Sequence, residues 1–132
     1  MDRDQLLARP IPGKLSTLEV LGHIADTEQY LADRIRRAAA TDAPVLVGVD
    51  AMRYVDALGY QRREPEPQLA LIELVRSQMA DDLERLEPAV WERVAVHTET
   101  GLVTTRQLVL HAIRHLEGHV AAIDDKRRAL GL

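Results

Sequence analysis

Apolar residues recur every three to four positions through most of this chain, the period of one buried helix face. Pro10-Ile11-Pro12-Gly13-Lys14 interrupts the pattern, and Ser16-Thr17-Leu18-Glu19 then reads as a capping box that opens a long helix over residues 17–40. Residues 41–50, with Pro44, Gly48 and Asp50, read as a loop long enough to cross a bundle instead of making a tight hairpin. Asp50 can cap a short helix through Leu58, closed by Gly59. Pro67 suits the first turn of a third helix to Leu86, with Leu71, Leu74, Val75, Met79, Leu83 and Leu86 inward. A short turn is expected over 88–93 and a connection around His97 and Gly101 over 94–103. Thr104-Thr105-Arg106-Gln107 is a second capping box, and its helix should reach Leu130, just before Gly131. Only Val94-Ala95-Val96 alternates like a strand. The pattern predicts an all-α chain: one domain over residues 1–132, a four-helix bundle with three long helices and a shorter one.

Composition narrows the class. The apolar fraction is 46%, ordinary for a globular protein, but aromatics total 3% and phenylalanine is absent, so the core must be aliphatic. The net charge is −4 with arginines scattered among acids, which argues against nucleic acid as a partner. There is no cysteine, so disulfides, thiolate ligands and cysteine nucleophiles are excluded. No apolar run approaches the ~20 residues of a membrane span. Met1-Asp2-Arg3-Asp4 lacks the start of a signal peptide, so a cytoplasmic protein with no membrane partner is expected.

Four of the five histidines fall in the first and last long helices. His111, His115 and His119 follow one another at four-residue steps, each about 40° further round the axis than a full turn. With His111 at zero, Leu108, Ala112, Ile123, Leu116 and Val109 span about 60° to 160°. His119 falls inside this apolar arc at about 80°, His115 on its edge at about 40°, and His111 furthest out. On the first helix His23 borders the arc of Val20, Leu21, Ile24, Leu31 and Ile35. His23 and the His115/His119 pair can therefore meet at the rim of one core. Three imidazoles make an open metal site, yet a helical histidine at an apolar edge is more often a partly buried, hydrogen-bonded side chain than a ligand. Leu116 stands where a zinc-protease base would, so the HExxH pattern is absent.

Glu28 falls within the buried arc of the first helix, where a carboxylate needs a partner. It is a candidate general base; an arginine across the bundle would give it a structural role instead. Asp26 lies one turn from His23 and can accept a hydrogen bond from it, or simply face water.

Three segments resemble the DinB-like metal-binding family. Ser16-Thr17-Leu18-Glu19-Val20-Leu21-Gly22-His23-Ile24-Ala25-Asp26-Thr27-Glu28 is similar to its S-x-x-E-v-l-x-H-l-x-D-x-E signature, with Leu15 where tryptophan is usual. His97, Gly101 and Thr104 match its H-x-x-x-G-x-x-T loop, and His115 through Ile123 its terminal H-x-x-x-H-l-x-x-I. The resemblance implies a four-helix bundle holding one divalent metal ion on His23, His115 and His119, and often a homodimer. Zinc, nickel and iron all suit imidazole. It further implies a metal-dependent enzyme on small molecules, either an S-transferase using a low-molecular-weight thiol as co-substrate or a hydrolase. The alternative is a non-catalytic dimeric metal-binding or stress-related module. The Leu15 departure bears on packing near the first helix.

Overall fold

The computed structural model describes residues 1–132. Its elements are α1 (Arg3–Leu7), α2 (Thr17–Ala40), β1 (Val45–Leu46), α3 (Ala51–Ala57), α4 (Pro65–Glu84), β2 (Val94–His97), β3 (Gly101–Thr104) and α5 (Thr105–Ala129). Short 3₁₀ turns at Tyr60–Arg62 and Pro88–Glu92 join them. The long helices α2, α4 and α5 and the shorter α3 form the four-helix bundle.

Both predicted capping boxes are present. The Glu19 amide donates to Ser16 Oγ at 3.2 Å, and Glu19 Oε2 accepts from the Ser16 amide at 2.7 Å. Thr104 and Gln107 make the same reciprocal pair at the start of α5. These pairs satisfy amides that the first turn leaves free, so both helices begin at defined residues. Asp2 and Gln5 box the short α1, an element the apolar periodicity did not signal. α4 starts at Pro65, which fills the first helical position, and Pro67 falls in its first turn as expected.

More than half of the 26 buried residues lie on α2, so this helix is the axis around which the chain folds. α1, α3, α4 and α5 all pack against it. Its outer half joins an aliphatic core of Leu31, Ala32, Ile35, Ala38, Leu46, Met79, Ala95, Leu108 and Ala112. Leu74, expected inward, is 68% exposed; its neighbours Val75 and Met79 supply α4's contact with this core.

The short sheet departs from the all-helical expectation. β1 pairs parallel to β2, and β2 antiparallel to β3, in the order β1-β2-β3. Along β2, Ala95 and His97 turn inward while Val94 and Val96 face out, as the period of two requires. Gly101 adopts φ +80° in the β2–β3 turn, a conformation that favours glycine.

One close approach is specific to the site-bearing helix. The Tyr60 ring lies on the α2 backbone at Gly22, where an added Cβ would meet ring carbons at 2.9 Å. The Tyr60 hydroxyl donates to Asp26 Oδ2 at 2.5 Å, and Arg63 forks onto both Asp26 oxygens at 2.9 Å. Arg63 also lies over the ring, 4.0 Å from its centre. Burial and then the Asp26 carboxylate push the Tyr60 hydroxyl pKa upward, so it stays a donor. Gly22→Ala should lower Tm. Overpacking costs about 1–3 kcal/mol, more than the roughly 1 kcal/mol that alanine gains in a helix. A raised Tm in calorimetry would show that the ring is free to shift.

Candidate metal centre

His23 approaches from α2, and His115 and His119 from α5. His115 Nε2 lies 3.2 Å from His23 Nε2 and 3.1 Å from His119 Nε2. One ring nitrogen from each of the three lies within 4.8 Å of the others. A tetrahedral ion with nitrogen ligands at 2.0–2.1 Å spaces those nitrogens about 3.3–3.4 Å apart. The two separations from His115 are close to that spacing, and the third nitrogen pair lies within 4.8 Å, so the three rings are grouped as a divalent cation needs. His111 is exposed, outside the group, as the wheel predicts.

The electrostatics favour the ligand state. Burial lowers the pKa of His115 to about 4, with His119, His23, His111 and Arg76 adding repulsion. Burial also lowers His119 to about 4, helped by His23 and Lys126. His23 is lowered by burial and partly restored by Asp26. All three rings are therefore neutral at pH 7, with lone pairs free, as metal binding requires.

The acidic residues of the first motif each hold contacts between elements. Glu19 takes Arg9 Nε at 3.0 Å and Gln61 at 3.0 Å as well as its capping amide. Burial alone would raise its pKa, but Arg9 and Ser16 outweigh it and the net shift is downward. Asp26 holds Tyr60 and Arg63; the Nδ1 atoms of His23 and His115 are buried without a protein partner. Glu28 is fully buried, and its Oε1 accepts from Arg76 Nη2 at 2.8 Å. The same Arg76 nitrogen donates to the Ala112 carbonyl at 2.7 Å, one turn before His115. Glu28 thus links α2 through α4 to the backbone of α5. Arg76 carried no distinguishing sequence signal, because its role depends on three helices meeting.

His97 stands apart from the triad. It is buried at the end of β2, and its Nδ1 accepts the Glu99 amide at 3.2 Å. With Gly101 and Thr104 it shapes the turn and cap that set where α5 begins. A cavity of about 530 Å³ opens beside His115 and His119, and Leu15 forms part of its wall. Leu15 therefore bears on the space next to the cluster as well as on the packing near α2.

A helical bundle with three neutral imidazoles converging between two of its long helices is a definite structural class. The chain belongs to the DinB superfamily, whose sequence profile matches residues 1–123. Among solved structures it is similar to YfiT from Bacillus subtilis, with a TM-score of 0.86 and 21% identity over 99% of this chain and 75% of that one. That protein is described as a probable metal-dependent hydrolase with an unusual four-helix bundle topology. At this identity the likeness establishes the fold. A search of curated proteins finds no match. No helix is long and apolar enough to cross a membrane.

The depressed imidazoles fix a pH response of the metal-free protein. Above the unfolded value near 6.5 the rings are neutral in both states, so stability is fully present there. As pH falls from about 6.5 to about 4, the unfolded chain gains protons that the folded one refuses, and stability drops. Tm measured across this window should fall, and the fall should flatten in a His115→Ala/His119→Ala double variant. An equal slope in both proteins would contradict the assignment.

Proposed function

We propose that this protein is a metal-dependent hydrolase of small molecules, with one divalent ion held by Nε2 of His23, His115 and His119. The convergence of three neutral imidazoles at metal-ligand spacing carries this reading. The description of the structurally similar YfiT supports the reaction class. A divalent ion in such a site supplies Lewis acidity and lowers the pKa of water toward 7. Three protein ligands leave a position open to substrate, and the cavity beside His115 and His119 gives access to it. Zinc, nickel and iron are all compatible with the donor set. Transfer to a low-molecular-weight thiol is an alternative use of the same centre, distinguished by loss of free thiol during turnover.

The chain's own residues have separate tasks. The α5 pair supplies two ligands from one face, and His23 closes the set from α2. A metal held by these residues would tie α2 to α5 and should stabilise the fold by mass action. Protein purified without a histidine tag should carry one ion per chain by elemental analysis. His23→Ala and His115→Ala should each lose most of it, and His111→Ala should keep it all. Equal losses from His111→Ala and His115→Ala would overturn the ligand set.

Glu28 is a positioning residue in this reading, through Arg76, instead of a proton acceptor. Glu28→Gln should lower stability by about 1–3 kcal/mol, the range for a lost charged hydrogen bond. Turnover per folded molecule should stay nearly constant. Unchanged Tm with turnover reduced roughly 10²–10⁴-fold would make Glu28 the general base instead.

A further inference from the structure

The cavity beside the histidines has a charge that runs against the rest of the chain. The protein carries 21 acidic and 17 basic side chains, yet no carboxylate lines this space. Lys14, Arg114 and Lys126 line it together with His115 and His119. Lys14 and Arg114 are exposed at its mouth, whereas Lys126 is only 3% exposed.

Lys126 is an unusual side chain to bury. Its Nζ donates to the Ala122 carbonyl of its own helix at 3.0 Å and makes no ion pair. An ammonium has three donors, so this leaves hydrogen-bonding capacity unused within the protein. Burial lowers its pKa; Asp125 opposes the shift, and Lys14 adds to it by repulsion. Asp125 itself pairs with Arg128. A cation in the last turn of a helix complements the dipole, but Arg127 and Arg128 already do so from exposed positions. Lys126 instead lines the cavity about two turns beyond His119. Leu15, Val20 and Met52 provide an apolar wall in the same space.

We propose that this cavity binds the anionic end of an amphiphilic substrate, anchored by Lys126 and guided by Lys14 and Arg114. The substrate's apolar part packs on Leu15, Val20 and Met52. This assignment rests on the adjoining histidines being the reactive centre, and it adds the substrate class: a small carboxylate or phosphate with a short apolar body. Lys126 is a specificity residue that holds the substrate while the cluster faces the bond to be cleaved. A compact ammonium suits either oxyanion, and an uncharged amide would leave it unpaired.

Hexanoate, hexyl phosphate and neutral hexanamide are suitable probes. Their binding to the full chain, with and without added zinc, is read from amide shifts of Gly118 and Ala122 in NMR titrations. Both anions should bind more tightly than hexanamide in each condition, and their ratio tells carboxylate from phosphate preference. Lys126→Met should weaken the anions by roughly 10- to 100-fold, the effect of losing one charge-assisted hydrogen bond, and leave hexanamide unchanged. Lys126→Arg should recover part of the loss. Hexanamide binding as tightly as the anions to the unaltered protein overturns the proposal, whatever the folding of the variants. So does an anion affinity that Lys126→Met leaves intact. Selective anion binding in a protein that takes up no zinc would leave the lysine site standing and refute the metal centre alone.

Discussion

The enclosure of α2 is the constraint on which the rest depends. This helix is covered by α1, α3, α4 and α5, so its position is fixed from several directions at once. Tyr60 rests on its backbone at Gly22, and Arg63 and Tyr60 grip Asp26. Arg76 then ties Glu28 of α2 to the Ala112 carbonyl of α5. Together these contacts set the distance between the residue at position 23 and the pair at 115 and 119. A site assembled from two helices can hold sub-ångström spacing only if the helices themselves cannot slide.

The motif residues accordingly divide between chemistry and placement. In the first segment only His23 joins the cluster. Ser16 and Glu19 start the helix, Asp26 anchors the connection before α4, and Glu28 braces α4 against α5. The second segment behaves the same way: Gly101 turns the hairpin, and Thr104 caps the helix that carries two ligand candidates. Glu28 and Asp26, both placed near the site by their helical spacing, pair with half-buried arginines, Arg76 and Arg63.

Much of this was legible in the sequence because it is local. Capping boxes mark the starts of α2 and α5, and helical spacing separates exposed His111 from half-buried His115 and His119. The buried place of Glu28 follows from the corresponding wheel of α2. What escaped depends on residues far apart in the chain. β1 has two residues and exists only through its pairing with β2 some fifty positions later. Arg76 looks like any surface arginine until three helices meet around it. Lys126 reads as an ordinary C-terminal helix cation, and its burial in a cavity wall shared with Leu15 and Met52 appears only in the folded chain. Leu74 shows the reverse error: it keeps the apolar spacing of α4 but lies on the side that nothing covers.

The central claim is that His23 of α2 and His115 and His119 of α5 share one ion. X-ray absorption spectroscopy of the zinc-loaded protein tests it most directly, because it reads the number, type and distance of the ligand atoms. Three imidazoles at about 2.0–2.1 Å, with one further oxygen ligand completing a four-coordinate shell, is the expected result. A shell with fewer than three imidazoles, or one dominated by carboxylate oxygen, would contradict it.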